Sequence, residues 1–335
     1  MENSIIVLTS RKCGKKHVSY NTVLGLEDEF SQCIGIAPME LCPFFYYVNR
    51  ILKKMKLSGG IVDWINVREL KKYNGKIFFA VMGVFELESF KHTLKMYRDR
   101  LIIYIFDCWE SQWERCESIF NEINPWMICF AYKKAKEHFS NIYERCYYLP
   151  QSMDIRYFHA YETKKTRLFI QMGRKTERLH NMVTNYLKIH NIEDCQENYI
   201  YERIKGNIIF PEVKELAEEI SKSYFFLAAP QNIENEKLTG KISETTARFY
   251  EAMACKTLII GIKPRDSFDE LFPYKEAMIE VSEANFNSNI DALRNNIEQY
   301  NKIVENNYNY VMEHHRWKNR YRMLLELINP TITKL

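Results

Sequence analysis

The stretch that decides the fold lies between residues 243 and 261 and reads Ser243-Glu244-Thr245-Thr246-Ala247-Arg248-Phe249-Tyr250-Glu251-Ala252-Met253-Ala254-Cys255-Lys256-Thr257-Leu258-Ile259-Ile260-Gly261. It begins as a polar loop, continues as a short amphipathic helix, and ends in a strand apolar enough to be buried on both faces. Ser243 or Thr245 is expected to cap the helix, because a side-chain oxygen there can accept from free N–H groups. A helix that begins beside a parallel sheet presents free N–H groups and a positive dipole end, which suits a phosphate.

Two charged residues of this helix, Arg248 and Glu251, lie three positions apart and so occupy one helical face. An Arg that grips phosphate beside a Glu that accepts from sugar hydroxyls would suit a nucleotide-sugar. A solvated ion pair on an amphipathic helix explains the same spacing, since surface pairs of this kind are common. Spacing alone leaves both interpretations open.

The composition describes a globular chain of two domains. The 335 residues and 40.2 kDa exceed one typical domain, and 46% of the residues are hydrophobic. A net charge of +4 does not indicate a nucleic-acid partner. The nine Cys form no C-x-x-C pair, which predicts free thiols in a reducing compartment and no zinc site. Without a signal-peptide pattern or an apolar run of ~18 residues, the protein is expected to be cytoplasmic.

Strand and helix patterns alternate in two similar series, residues 4–148 and 168–281, separated by a linker-like segment at 150–159. Repeated alternation of this kind predicts parallel, doubly wound sheets. A long helix is expected over 288–306, and an apolar helix over 308–328 that docks on the first domain. The predicted domains are residues 1–150, 151–307 and the returning segment 308–335.

Residues 43–56, Pro-Phe-Phe-Tyr-Tyr-Val-Asn-Arg-Ile-Leu-Lys-Lys-Met-Lys, predict an aromatic helix with a basic end. Its basic residues are Arg50, Lys53, Lys54 and Lys56. Cations at a helix C-terminus are ordinary partners of the helix dipole. The more specific hypothesis is a surface helix that binds anionic lipid at the inner face of the plasma membrane.

Two acids follow the predicted strand at 101–107, namely Asp107 and Glu110. Ligands of open α/β sheets sit at the carboxyl ends of strands, so both are candidates for contacting an acceptor hydroxyl. A helix N-cap followed by a first-turn acid explains them equally well.

Several motifs, taken together, resemble the glycosyltransferases of the GT-B fold, in particular the large retaining family that uses nucleotide-sugars to build bacterial polysaccharides. The segment 147–158 is similar to its interdomain "V-P-N-G-V-D-x-x-x-F", and 169–175 to its "F-x-G-R". Residues 246–259 are similar to its donor-site "R-x-x-E-A-M-A-C-G-x-x-V-I". The tail around 314–320 resembles its closing helix, and the likeness is weak before residue 147.

The resemblance implies two Rossmann-like, doubly wound parallel-sheet domains that face each other across a cleft. Glu251 would hold the ribose hydroxyls of the donor, while Arg248 and Arg174 would grip its diphosphate and neutralise the leaving group. The remaining donor-site candidates are Gly173, Lys175, Glu244, Thr245 and Thr246, and Asp107 joins the two arginines as a catalytic candidate. The resemblance implies no cofactor and no metal, because these cations take the metal's place. It further implies a nucleoside-diphosphate-sugar as the donor, either UDP- or GDP-linked, and a glycan or lipid-linked acceptor.

The departures from the family pattern keep other functions open. The family's second Glu corresponds to Ser243, with Glu244 displaced by one residue, and its Gly after Ala-Cys is Lys256. Gly173 and Arg174 also fit a simple turn at a strand end. A non-catalytic partner of the same fold in a polysaccharide assembly complex and a sugar-nucleotide epimerase are therefore the alternatives to a transferase in polysaccharide or lipopolysaccharide assembly.

Overall fold

The computed structural model describes residues 5–13, 20–55, 63–173, 176–201 and 210–329, and these form two compact units. The first unit contains the described residues up to Pro150, together with residues 237–242 and 317–329. The second contains the described residues of 151–236 and 243–316. Residues 308–316, which the sequence prediction grouped with the final helix, belong to the second unit.

The first unit is built on a six-stranded parallel sheet in the order β2-β1-β3-β4-β5-β6. Every residue of β1 and β4 is buried, because helices cover both faces of the sheet. The strands are β1 Ile5–Thr9, β2 Met39–Glu40, β3 Ile77–Met82, β4 Leu101–Ile105, β5 Met127–Phe130 and β6 Cys146–Tyr148. The helices are α1 Asn21–Ile34, α2 Pro43–Lys54, α3 Trp64–Lys71, α4 Val84–Lys95, α5 Trp113–Ile123, α6 Lys133–Phe139 and, from the chain end, α14 Trp317–Ile328.

The second unit has a five-stranded parallel sheet in the order β11-β10-β9-β7-β8. Its strands are β7 Arg167–Gln171, β8 Tyr199–Tyr201, β9 Ser223–Ala228, β10 Leu258–Gly261 and β11 Ile279–Glu280. Its helices are α7 Glu177–Ile189, α8 Val213–Ser221, α10 Ala247–Ala254, α11 Phe268–Leu271, α12 Phe286–Asn295 and α13 Ile297–His314, while α9 Asn232–Thr239 leads into the first unit. Two doubly wound parallel sheets confirm the predicted α/β class.

The single helix predicted over 288–306 is wrong. Two helices, α12 and α13, meet at Asn296, whose side-chain oxygen accepts from the backbone N–H of Gln299 at 3.0 Å. An Asn that caps the next helix ends the preceding one, because its own backbone leaves the helical region. The predicted helix over 308–328 is likewise divided, with α13 ending at His314 and α14 beginning at Trp317.

Three helices of the first unit, α3, α4 and α5, were missed by the sequence prediction. Asp63 gives a local signal for α3, since its carboxylate accepts from the N–H of Asn66 at 3.0 Å. Within the second series the sequence pattern also predicts a strand over 208–210, and residues 208 and 209 of it lie outside the described residues. No helix of the described residues combines the length and the hydropathy needed to cross a bilayer.

Candidate functional site

The strand order of the second unit reverses between β7 and β9. At such a point neighbouring connections leave on opposite faces of the sheet, which opens a crevice at the carboxyl ends of the strands. Gly173 lies two residues beyond β7 with a φ of +82°, a left-handed conformation that favours glycine. The backbone therefore turns sharply at the edge where a ligand is expected.

Arg248 lies directly against Gly173. A Cβ built on Gly173 would overlap the guanidinium of Arg248, so the arginine packs on bare backbone. Arg248 is the second residue of α10 and is half-buried. The sequence prediction assigned both residues to one donor site, and the structure brings them together at the crevice.

The N-terminus of α10 is capped by Gln151, which the sequence prediction did not identify. The backbone N–H of Ala247, the first residue of the helix, donates to Oε1 of Gln151 at 2.8 Å. Gln151 belongs to the family-like segment 147–158, and that motif was the signal that could have found it. The other N–H groups of the first turn receive no side-chain cap from Thr246, the residue that precedes the helix.

The prediction that Ser243 or Thr245 caps this helix is wrong. Ser243 Oγ accepts instead from the backbone N–H of Arg265 at 3.1 Å, and the Thr245 hydroxyl donates to Ser267 Oγ at 3.2 Å. The loop that follows β10 thus holds residues 243–245 and delays the start of α10 to Ala247.

The predicted donor-site residues differ in their access to solvent. Glu244 and Thr245 are fully buried, and the Glu244 carboxylate accepts from the hydroxyl of Ser267. Thr246, Arg248 and Glu251 are half-buried. Arg174 and Lys175 lie outside the described residues. The accessible part of the candidate site is therefore Gly173 with the outer face of α10.

Lys256 replaces the glycine of the family pattern at a position with a φ of +52°. A left-handed backbone at the end of a helix explains why glycine is favoured there. Lys256 is stabilised by an ion pair of its Nζ with Glu305 at 2.6 Å. This departure therefore changes the helix end and leaves the face that carries Arg248 and Glu251 intact.

Asp107 is the predicted acid of the first unit, and the structure holds it in an unusual conformation. Its φ is +55°, it is exposed, and its Oδ1 accepts from the hydroxyl of Tyr132 at 2.6 Å. Tyr132 is buried and packs on Trp109 with ring centroids 4.4 Å apart. Sequence analysis missed Tyr132, which follows β5 as Asp107 follows β4. A strained acid fixed by a buried tyrosine is typical of a functional position.

Glu110 lies against a segment that enters the first unit from far along the chain, residues 237–242. A Cβ built on Gly240 would overlap the Glu110 side chain. The segment is held by Ile242, fully buried in the first unit's core, and by a hydrogen bond from Lys134 Nζ to the carbonyl of Lys241 at 3.0 Å. Residues 243–246 follow this segment in the chain and precede α10.

Among the residues that the structure describes, no group of three or more His, Cys, Asp and Glu side chains is arranged to hold a metal ion.

Residues 202–326 match a family described as "Glycosyl transferase-like". No curated protein matches the chain. The T4 phage β-glucosyltransferase is similar in structure, with a TM-score of 0.53 and 12% identity over 97% of this chain and 99% of that chain. TarM gives a TM-score of 0.52 and 12% identity over 78% of this chain and 57% of its own.

A complex of accessory secretory proteins 1, 2 and 3 from Streptococcus pneumoniae gives a TM-score of 0.50 and 9% identity over 80% of this chain and 56% of that chain. The present chain therefore covers little more than half the length of the matched accessory secretory protein chain, and little more than half the length of TarM. Such low identities establish the fold alone. The chain has a GT-B-like fold, as the sequence motifs predicted.

Proposed function

We propose that the protein is a glycosyltransferase that moves a sugar from a nucleoside-diphosphate donor to a glycan or lipid-linked acceptor. One observation carries the proposal. Arg248 lies on the bare backbone of Gly173 at the strand-order reversal, inside a helix that belongs to the glycosyl transferase-like segment 202–326. A cation beside helix N–H groups at that place suits a diphosphate.

The second unit is proposed to bind the donor. Arg248, with Arg174 and Lys175, would contact the diphosphate, while Glu251 one turn further along α10 would accept from the ribose hydroxyls. Positive charge at this place lowers the barrier to departure of the diphosphate, because negative charge accumulates on it in the transition state. Thr246 completes the proposed contacts, and Glu244 and Thr245 support the loop that leads to it.

The first unit is proposed to bind the acceptor, with Asp107 contacting its hydroxyl. In the proposed retaining reaction the acceptor oxygen attacks the anomeric carbon on the face that the diphosphate leaves. The bond from this carbon to the acceptor oxygen forms, the bond to the diphosphate oxygen breaks, and the acceptor proton passes to the diphosphate. No metal is required in this scheme, since the arginines balance the charge.

The proposed setting is cell-surface polysaccharide or lipopolysaccharide assembly at the inner face of the plasma membrane. Support comes from α2, which carries an exposed apolar stripe. Phe44, Tyr47, Ile51 and Met55 recur at helical spacing and are 45–63% exposed. Exposed Arg50 and Lys54 accompany the stripe, and α2 carries no acidic residue. Apolar and basic residues together fit an anionic lipid surface, on which a lipid-linked acceptor would be presented.

The proposal is tested by nucleotide binding to the full chain, followed by product analysis. Calorimetry with UDP and GDP should show binding to the wild type, and Arg248→Ala should weaken it at least about tenfold, as expected for loss of a charge-assisted contact. Arg322→Ala is the matched control, because Arg322 is exposed on α14 in the other unit. Equal affinities of the two variants would contradict the role of Arg248.

The same measurements separate the alternatives. If no nucleoside diphosphate binds at millimolar concentration, a non-catalytic partner of this fold is favoured. If a nucleotide-sugar is isomerised without transfer to any acceptor, the epimerase is favoured. Transfer of the sugar with the anomeric configuration kept supports the proposed reaction, and inversion would overturn its retaining step.

A further inference from the structure

The first unit has its own strand-order reversal, between β1 and β3, which the proposed function does not yet use. Connections leave on opposite faces there, so the carboxyl ends of these strands border a crevice. Arg11 follows β1 at this edge, Gly83 follows β3, and Phe106 follows the neighbouring β4. Two bonded pairs of side chains lie around this point, Arg11 with Glu27 and Tyr20 with Glu86, and together they are called the switch-point cluster.

Arg11 is fixed along one edge of its guanidinium. Its Nε donates to Thr9 Oγ1 at 3.2 Å, and its Nη2 donates to Glu27 Oε2 at 2.9 Å and to Asp28 Oδ1 at 2.7 Å. The side chain keeps 28% of its surface exposed. Nη1 donates to no residue that the structure describes, so a held arginine offers one unused edge.

Glu27 is the group that holds Arg11, and it is itself fully buried. Its Oε2 accepts from Thr9 and Arg11, whereas its Oε1 has no partner within the described residues. Burial raises the pKa of this carboxyl to about 7. A buried carboxyl oxygen without a partner destabilises the folded state, and such groups are few in native structures.

Tyr20 and Glu86 form the opposite part of the cluster. The Tyr20 hydroxyl donates to Glu86 Oε1 at 3.1 Å, and its ring meets Phe106 edge-on at 5.5 Å. Gly83 admits this arrangement, because a Cβ there would come within 3.0 Å of Glu86 Oε2 and 3.4 Å of the Phe106 ring. Tyr20 therefore contacts residues that follow two neighbouring strands, β3 and β4.

We infer that the switch-point cluster binds the hydroxyls of an uncharged sugar unit of the acceptor, an inference that rests on the proposed function. Arg11 is paired with two acids, Glu27 and Asp28, and this acidic excess disfavours a phosphate or carboxylate ligand. Sugar hydroxyls can accept from the Arg11 guanidinium and donate to carboxylates at the same time. Glu27 acts through Arg11 and is a positioning residue.

The test measures saturation-transfer NMR of the full chain with the methyl glycosides of glucose, galactose and N-acetylglucosamine. At least one should bind the wild type, and Arg11→Met should reduce its signal at least fivefold. Arg11→Lys should give an intermediate loss of this signal, because lysine keeps the positive charge but lacks the planar guanidinium with its paired N–H donors. Lys12→Met is the matched control, since Lys12 is exposed and pairs with Glu40 outside the cluster.

Glu27→Gln tests the positioning role, because it preserves shape while weakening the hold on Arg11. The variant should weaken binding of the same glycoside, and its loss of signal should be smaller than that of Arg11→Met. The inference is overturned if no glycoside binds, if Arg11→Met binds like the wild type, or if inorganic phosphate displaces the glycoside. UDP and GDP binding to the wild type is followed in parallel. A wild type that binds nucleotide but no glycoside overturns this inference alone, whereas a wild type that binds no nucleotide overturns the proposed function.

Discussion

Gly240 lies so close to Glu110 that no side chain fits between them, although 130 positions separate the two residues in the chain. Gly240 also has a φ of +62°, and Ile242 beside it is buried in the first unit's core. We predict that Gly240→Ala lowers the free energy of unfolding by about 2 kcal/mol, through strain at positive φ and overlap with Glu110.

The matched control for that change is Gly75→Ala. Gly75 has a φ of +79°, but a Cβ there would meet nothing within 4 Å. Only the backbone cost of about 1 kcal/mol is expected. Urea denaturation followed by the fluorescence of Trp109 and Trp113, which flank Glu110 in the chain, measures both variants. If both lose the same stability, the contact with Glu110 contributes nothing.

Gly173→Ala is predicted to impair nucleotide binding without a comparable loss of stability. The added methyl group would displace the Arg248 guanidinium, so the affinity for UDP or GDP should fall about tenfold or more in calorimetry. Gly35→Ala serves as the control, because Gly35 has a similar φ of +77° and open space around it. Wild-type affinity in Gly173→Ala would show that Arg248 does not contact the nucleotide.

The exposed stripe of α2 is predicted to bind anionic vesicles. Sedimentation with vesicles of phosphatidylglycerol should pull down the wild type, and vesicles of phosphatidylcholine should not. The double change Arg50→Glu and Lys54→Glu, or Ile51→Ser alone, should reduce the bound fraction severalfold. Ile189→Ser is a matched control, since Ile189 is 63% exposed at the end of α7. If the wild type sediments with neither kind of vesicle, the prediction that α2 binds a membrane surface is wrong.

The sequence predicted the strands well because their residues are apolar on both faces. Continuous apolar runs such as 101–105 and 258–261 are typical of strands in the interior of a parallel sheet, which are buried on both faces. The donor helix was recognisable for another reason, since Arg248 and Gly173 belong to short local motifs. That Arg248 and Gly173 lie side by side could not be predicted, because it depends on the strand order, which no local sequence pattern contains.

The residues that the sequence did not identify act over long distances in the chain. Gln151 caps a helix that begins 96 positions later, and Tyr132 fixes an acid 25 positions earlier. Glu27 looks like any helical glutamate until β1 places Thr9 and Arg11 beside it. The prediction of a helix cap at Ser243 or Thr245 was wrong for the same reason. Both hydroxyl groups form hydrogen bonds with the loop 265–267, which is distant from them in sequence.

The thiols are predicted to divide into two classes. Cys33, Cys42 and Cys195 are half-buried, and the six others are buried. Burial raises the pKa of Cys146 and of Cys255 to about 12, which suppresses the reactive thiolate. A chromogenic disulfide reagent at pH 8 should therefore modify no more than three thiols quickly in the folded protein and all nine in denaturant. Rapid modification of six or more in the native state would contradict the packing of both cores.

Glu27 should make the stability of the protein depend on pH in a predictable direction. Its pKa is raised by burial from 4.5 to about 7 against the opposing effect of the Thr9 and Arg11 hydrogen bonds. Between these values the folded carboxyl is protonated while the unfolded one is ionised, so the folded state binds more protons. The contribution is fully present below pH 4.5 and is lost as the pH rises through 7. Glu27→Gln removes it, so the variant should gain stability relative to the wild type between pH 5 and pH 8 in urea denaturation. Parallel curves for the two proteins would mean that Glu27 ionises equally easily in both states, and that burial is not what holds its proton.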